Sequence, residues 1–229
     1  SFAYEDGEQV LDRVSFRLEA GRKLGLLGRT GSGKTTLTRL LFRLYDPVSG
    51  TIALGDTDLK VLEPDFLRAR VAMVTQDVQL FRASVRDNLT FFDPHRTDEE
   101  ITQVVRDVGL GDWYAGLANG LDTELAPGGN DLSAGQAQLL AFARVFLADP
   151  SVVVLDEPSS RLDPATEKLL ERAMARLLDG RTGIIIAHRL GTVQKVDDIM
   201  IIEDGKVAEF GARQDLVRDP DSHFSLLLK

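Results

Sequence analysis

The chain has 229 residues, of which 43% are hydrophobic and 28% charged, with a formal net charge of −9 at neutral pH. This length and composition are typical of one soluble globular domain with a single substantial core. No apolar run approaches the roughly 18 residues of a membrane span, and the acidic balance argues against a nucleic-acid partner. The absence of cysteine excludes disulfides and thiol catalysis. Because the sequence begins without Met or a signal-peptide pattern, we expect it to be cut from a longer chain.

The first residues predict β-structure. Residues 10–18 alternate roughly between apolar and polar side chains, as a half-buried strand does. Phe2 and Tyr4 share one face of a short strand, where Phe2 is expected in the core. The ring of Tyr4 either packs in the core as well or stacks on a planar ligand.

A glycine-rich loop follows an apolar run, residues 24–27, and precedes a helical pattern, residues 37–43. Glycines let backbone N–H groups turn towards an anion, and the helix N-terminus adds positive potential. Lys34 would contact the β- and γ-phosphates, and the Thr35 hydroxyl would bind Mg²⁺. An ordinary turn before a helix is the alternative, but the strand–loop–helix context favours a nucleoside triphosphate site. The predicted nucleotide-binding residues of the loop are Gly28, Arg29, Thr30, Gly31, Ser32, Gly33, Lys34, Thr35 and Thr36.

The next segment returns to strands. Residues 46–50 break the chain, residues 51–54 resume a strand, and residues 71–74 predict a buried strand that ends just before Gln76. Gln76 is either a structural amide at a strand end or a ligand of the metal or the attacking water, since side chains there face the ligand crevice of such folds.

Residues 82–150 predict an inserted helical lobe, with the core lobe formed by residues 1–81 and 151–229 of the same domain. Helices are expected at residues 98–108, 113–117 and 134–147. Ser133 is well placed as the N-cap of the longest helix. Taken alone, this segment reads as an ordinary capped helix.

Two apolar runs near the end of the chain predict central strands of a parallel sheet covered on both faces. Residues 151–155 are followed by Asp156 and Glu157, and residues 183–187 by His188. At the carboxyl end of a strand, Asp156 would hold Mg²⁺ while Glu157 orients or deprotonates the attacking water. His188 is either structural or a contact for the γ-phosphate.

Together these segments resemble the nucleotide-binding domain of an ABC transporter. Residues 28–35 match the Walker A motif and residues 151–157 the Walker B motif with its catalytic Glu. Gln76 falls at the Q-loop, and residues 159–163, which include Ser159 and Asp163, fall at the D-loop. His188 falls at the switch histidine. Tyr4 falls at the aromatic position that stacks on the base. The family signature is matched by Leu132, Ser133, Ala134, Gly135 and Gln136.

The resemblance covers nearly the whole chain and implies the family's fold and reaction. The implied fold is α/β: a P-loop NTPase core with a RecA-like parallel sheet flanked by helices, an N-terminal antiparallel β subdomain and an inserted helical subdomain. The implied cofactors are ATP and Mg²⁺, with Thr35, Gln76 and Asp156 as metal ligands and Lys34, Gln76, Glu157 and His188 as catalytic residues.

The resemblance also implies partners. In the family, two such domains bind two ATP molecules head to tail, so that the signature of one meets the nucleotide of the other. The helix that starts after Ser133 supports this arrangement, because its first N–H groups lack partners within the helix. The segment after Gln76 and the residues around His188 resemble those of exporters. That implies a membrane domain, usually on the same polypeptide, and a location on the cytoplasmic face of the membrane.

Three positions depart from the family pattern. Ala134 replaces the usual first Gly of the signature, and Arg161 replaces the usual Ala of the D-loop. Pro127 stands where exporters usually carry a Glu that contacts the membrane domains. We therefore hypothesise that this chain is one half of a heterodimeric exporter, although its catalytic set is intact.

Three alternatives stay open. One is an ABC ATPase of DNA repair or translation that has no membrane domain, although the acidic charge is unfavourable for it. Another is a nucleotide-gated module that dimerises around ATP but hydrolyses little of it. The presence of Glu157 and His188 argues against this alternative. A P-loop kinase is the weakest, because it leaves the signature segment unexplained.

Overall fold

The computed structural model describes residues 1–5, 7–129, 131–156, 163–187 and 190–228. The chain forms two compact units: Ser1–Val71 with Arg181–Lys229, and Ala72–Gly180. The second unit contains strands as well as helices, and it extends beyond residues 82–150 on both sides. The expected limits of the helical lobe therefore stay a prediction.

The fold is the predicted α/β class, with a mostly parallel central sheet and an antiparallel N-terminal pair. The strands are β1 (Phe2–Ala3), β2 (Gln9–Leu11), β3 (Lys23–Leu27), β4 (Ala53–Leu54), β5 (Thr57–Asp58), β6 (Val71–Val74), β7 (Val152–Asp156), β8 (Thr182–Ile186), β9 (Asp198–Glu203) and β10 (Lys206–Ala212).

The helices are concentrated in the second unit. They are α1 (Lys34–Leu41), α2 (Pro64–Arg70), α3 (Val85–Thr90), α4 (Asp98–Asp107), α5 (Gly111–Ala115), α6 (Ala134–Ala148), α7 (Pro164–Leu178), α8 (Arg213–Arg218) and α9 (His223–Leu227), with 3₁₀ turns at Leu59–Val61, Gly120–Asp122, Pro127–Gly129 and Leu190–Val193. None of the described helices combines the length and the apolar character that crossing a membrane requires.

In the first unit, the sheet strands lie in the order β10-β9-β3-β8. β3 pairs in parallel with both β8 and β9, while β10 returns antiparallel to β9. Leu24, Leu26 and Ile186 are at most 2% exposed, because apolar side chains on both faces of a central parallel strand are covered. The predicted phosphate loop therefore begins at the carboxyl end of a strand that is buried from Leu24 to Leu27.

In the second unit, β7 and β6 are neighbouring strands, and the residues of β7 from Val153 to Leu155 are fully buried. The helices pack around α6, which contacts α3, α4 and α7. Phe142 and Leu140 of α6 are 0% exposed. This helix is the apolar centre of its unit.

Two predicted helices are confirmed within one residue: α4 (Asp98–Asp107) against the expected 98–108, and α6 (Ala134–Ala148) against the expected 134–147. The expected helix at 113–117 begins two residues earlier, at Gly111. The first long strand is much shorter than expected, because only Gln9–Leu11 pairs. Arg13 has a φ of 49°, which takes the backbone out of the extended region and ends the strand.

Candidate nucleotide-binding site

The loop between β3 and α1 is shaped by glycines, and at Gly28 and Gly33 the surrounding atoms leave no room for a Cβ. Gly28 has a φ of +152°, and a Cβ there would lie 2.3 Å from the carbonyl oxygen of Ile202 and 2.6 Å from the Oγ of Ser32. Gly33 is the N-cap of α1, with a φ of 108° and no side chain to cap the helix. The first N–H groups of α1 are therefore left without a capping side chain, as an anion site requires.

Lys34 places its charge on this loop. Its Nζ donates to the carbonyl oxygens of Gly28, at 2.6 Å, and of Arg29, at 2.9 Å, and the residue is only 6% exposed. The buried Oγ of Ser32 has no hydrogen-bond partner among the described residues. An ammonium group held on the loop and a buried hydroxyl of the same loop are both donors of the kind that bind phosphate oxygens.

Tyr4 belongs to the same unit and is fixed at both ends. Its hydroxyl lies 3.1 Å from the Oγ1 of Thr36 and accepts from Arg39 Nη1 at 3.0 Å. Its ring makes edge contacts with Phe2 and Tyr45, at centroid distances of 4.9 and 5.3 Å. The hydrogen bond to Thr36 lowers the pKa of the phenol below its usual value, and the guanidinium of Arg39 adds to the effect. Stacking of Tyr4 on a base stays a prediction.

The second unit carries the other predicted ligands. Asp156 is the last residue of β7 and is half-buried, and Gln76 is exposed, two residues after β6. The predicted catalytic residues Glu157 and His188 lie outside the described residues, as do Ser159 and Arg161 of the D-loop.

The signature helix begins with a closed cap. Ser133 is the N-cap of α6, as predicted: its Oγ accepts from the N–H of Gln136 at 3.2 Å, and the Oε1 of Gln136 accepts from the N–H of Ser133 at 2.9 Å. The expectation that this helix start lacks partners is therefore corrected in part, because the capping box satisfies two of its N–H groups. Ala134 and Gly135 carry the remaining ones, and Leu132 donates its own N–H to Gly129.

Gly135 is fixed by its neighbour on α7. A Cβ at this position would lie 2.1 Å from the Cγ2 of Thr166. Thr166 donates its hydroxyl to Asp163, the N-cap of α7, at 2.6 Å. That hydrogen bond and those from the first N–H groups of α7 lower the pKa of the Asp163 carboxyl. Packing thus requires glycine at the second glycine position of the signature, Gly135. At the first glycine position, Ala134 is accommodated.

The predicted metal ligands have suitable chemistry. Thr35, Gln76 and Asp156 offer a hydroxyl, an amide oxygen and a carboxylate, the hard oxygen donors that Mg²⁺ prefers. Within the described parts of the chain, no group of three or more acidic or His side chains forms a metal cluster. Mg²⁺ bound to a nucleotide does not require one, because phosphate and water oxygens supply most of its ligands.

Sequence reasoning missed two polar residues inside α6. The Nε2 of Gln138 donates to the carbonyl oxygen of Gln76 at 2.7 Å, and Arg144 donates to the carbonyl oxygens of Gln79 and Asn88 at 2.7 and 2.6 Å. Burial lowers the pKa of the Arg144 guanidinium to about 10, which leaves it charged at neutral pH. Their position among the apolar residues that follow the first turn of α6 was the signal that could have found them.

Comparison with known proteins agrees with these features. Residues 11–160 match the family model for ABC transporters. This chain belongs to the ABC transporter family. Membership implies that the domain binds ATP, as the phosphate loop between β3 and α1 indicates.

The curated relatives are named as transporter or translocation proteins. The chain is 39% identical over 95% of its length to an uncharacterized ABC transporter ATP-binding protein, YfiC, of Bacillus subtilis, and covers 36% of it. It is 39% identical to the mitochondrial iron-sulfur clusters transporter ABCB7 of Homo sapiens (98% of this chain, 30% of the relative) and 37% identical to the alpha-hemolysin translocation ATP-binding protein HlyB of Escherichia coli (99% and 32%). This ABC domain thus spans about a third of the length of these relatives.

A solved structure gives the same assignment. A bacterial Atm1-family ABC exporter with ATP bound superimposes with a TM-score of 0.90 and 33% identity, over 99% of this chain and 40% of the other. At this identity and coverage, both the fold and the exporter-type ABC domain agree with the sequence prediction.

Proposed function

We propose that this domain binds Mg-ATP and hydrolyses it to drive transport by a membrane domain of an ABC exporter. The observation that carries the proposal is the position of Lys34. Its ammonium group lies over the carbonyl oxygens of Gly28 and Arg29, at the start of a helix whose N-cap has no side chain. Such a site attracts a phosphate group through both the cation and the helix N-terminus.

In the proposed reaction, water attacks the γ-phosphorus and the β–γ anhydride bond breaks to give ADP and phosphate. Lys34 stabilises the charge that develops on the phosphate oxygens, and Thr35 and Asp156 hold Mg²⁺. Glu157 orients or deprotonates the water, Gln76 contacts the metal or this water, and His188 contacts the γ-phosphate. The ring of Tyr4 stacks on the adenine base.

The proposed active form contains two nucleotide-binding domains. The signature of one domain, from Leu132 to Gln136, completes the nucleotide site of the other, and the D-loops meet beside it. ATP thereby favours the closed pair and hydrolysis favours its separation. This cycle of closing and opening would move an attached membrane domain. The nucleotide-binding domain would then lie on the cytoplasmic face of the membrane.

The steady-state Mg-ATPase rate per subunit, measured over a range of protein concentrations, tests this proposal. We expect the rate per subunit to rise with concentration, because two domains must meet, and to be abolished by Glu157→Gln. A low rate at every concentration with normal nucleotide binding would contradict hydrolysis by a pair of identical domains. Activity restored by a second ABC domain would then support the heterodimer that Pro127 suggests. Absence of nucleotide binding would overturn the whole proposal.

A further inference from the structure

Gln138 is a buried polar side chain on α6 that makes its hydrogen bonds outside its own helix. It is 7% exposed, and its Nε2 donates to the carbonyl oxygen of Gln76 at 2.7 Å and approaches that of Thr75 at 3.4 Å. Because both acceptors are carbonyl oxygens, the amide has one favourable orientation. The reverse orientation would place Oε1 against two oxygen atoms.

The other end of this amide is costly to bury. The Oε1 of Gln138 is buried and has no hydrogen-bond partner among the described residues. A buried acceptor without a donor destabilises the folded state, so an apolar side chain of similar shape would serve packing better. The side chain therefore contributes its two donor N–H groups, and both point at the backbone around Gln76.

A second contact from α6 holds the following part of the same segment. The Nε and Nη1 of Arg144 donate to the carbonyl oxygens of Asn88 and Gln79. Asn88 is fully buried and in turn binds the backbone at Phe81, with its Oδ1 accepting from the N–H of Phe81 at 2.9 Å. Residues 79–88 are thus anchored by hydrogen bonds that do not involve Gln138, whose side chain donates to residues 75 and 76.

We propose that Gln138 is a positioning residue for Gln76, and that it couples the signature helix to the proposed metal and water ligand of the same subunit. Gln138 lies one turn of α6 beyond the signature residue Ala134. A displacement of the helix start by a partner's nucleotide would move the side-chain amide of Gln138, which donates to the carbonyl oxygen of Gln76. This inference rests on the proposed function, because it takes the role of Gln76 from it.

The test compares Gln138→Met, which keeps the length and removes both donors, with Gln103→Met. Gln103 is an exposed glutamine on α4 whose Nε2 binds Asp107 at 3.1 Å, so it controls for the same chemical change. Hydrogen–deuterium exchange of the nucleotide-free 229-residue chain is the first measurement. We expect exchange at residues 75–78 to become at least about tenfold faster in Gln138→Met alone. The lost hydrogen bonds end on the carbonyl oxygens of residues 75 and 76, and without them this segment opens more often. Exchange at residues 83–89 should stay unchanged, because Arg144 still anchors them.

The second measurement separates positioning from a general loss of stability. We expect Gln138→Met to lower kcat by about tenfold or more and to raise the Mg²⁺ concentration for half-maximal rate, with ATP affinity within about twofold of wild type. Unchanged exchange at residues 75–78 would overturn the proposal. A fall in ATP affinity that accounts for the whole loss of rate would overturn it as well.

The exchange measurement needs no hydrolysis. A wild type that binds ATP without hydrolysing it would contradict the proposed function, and the exchange pattern would still decide on the contact between Gln138 and Gln76. In that case the second arm becomes the Mg²⁺ dependence of nucleotide binding. We expect Gln138→Met to raise the Mg²⁺ concentration needed for half-maximal binding, and an unchanged value would overturn the coupling.

Discussion

The starts of α1 and α6 are the two helix N-termini that the family pattern assigns to phosphate, and they are built differently. α1 begins at Gly33 with no capping side chain and with Lys34 held over the loop. α6 begins with a closed capping box between Ser133 and Gln136. The first has no capping side chain between its N–H groups and an anion, whereas the second satisfies two of its own N–H groups and leaves those of Ala134 and Gly135 for one.

A third helix start shows what an N-terminus without such a role looks like. α4 also has a capping box, between Thr97 and Glu100, but its first turn carries three acidic residues. α1 and α6 carry none in their first turns. Carboxylates at a helix N-terminus neutralise its positive potential and repel phosphate, so α4 provides a natural control for α6.

The largest effect is expected at the open helix start. Replacing Lys34 by Met removes the cation and should lower nucleotide affinity by about a hundredfold or more, since hydrogen bonds to charged groups contribute about 1.5–3 kcal/mol each. Titration with a fluorescent nucleotide measures this. Lys60→Met, at an exposed lysine, is the control and should bind as wild type does. Equal affinities of the two variants would remove Lys34 from the site.

The next effect separates two glycines of the loop. Gly28→Ala should lower the free energy of unfolding by about 3 kcal/mol or more, because the new Cβ meets the backbone of Ile202. Gly31→Ala, where a Cβ has open space but φ is +84°, should cost only about 1–2 kcal/mol. Urea denaturation of both variants measures the difference. Similar losses would mean that the contact with Ile202 does not limit this position.

A smaller effect distinguishes the two capping boxes. Ser133→Ala and Thr97→Ala should each lower the free energy of unfolding by about 1 kcal/mol, because each removes an N-cap. Thermal denaturation should therefore shift by a few degrees in both variants. At a temperature where both variants are fully folded, the ATPase rate should fall in Ser133→Ala and stay at the wild-type value in Thr97→Ala. If Thr97→Ala reduces the activity equally, the loss reflects stability rather than contact with a nucleotide.

The smallest expected effect is on the stability of the fold at acidic pH. The guanidinium of Arg86 lowers the pKa of the Asp98 carboxyl, in the first turn of α4, below its usual value. A lowered folded pKa contributes stability above the unfolded pKa, and this contribution disappears as the pH falls through the folded pKa. Asp98→Asn should therefore be slightly less stable than wild type at pH 7. Urea denaturation should show the gap narrowing below about pH 4, and a gap that widens there would contradict this assignment.

The sequence by itself determined the features that depend on local spacing. The strand–loop–helix order around Lys34, the helix α4 and the N-cap at Ser133 follow from periodicity and capping preferences within a few residues. The same local signals could not show that Arg13 adopts a left-handed conformation and ends the first strand early. Ser133 and Gln136, by contrast, have the S-x-x-Q spacing of a capping box, so the closed cap on α6 could have been predicted from the local sequence.

Only the tertiary structure decided which distant groups meet. Gly28 is obligatory because the carbonyl oxygen of Ile202, from β9, lies where a Cβ would be. Gln138 reaches Gln76 across 62 positions of sequence, and Arg144 reaches Asn88 across 56. Such contacts depend on how strands and helices pack, and packing is set by the burial of apolar side chains over the whole unit rather than by the local pattern around any one residue.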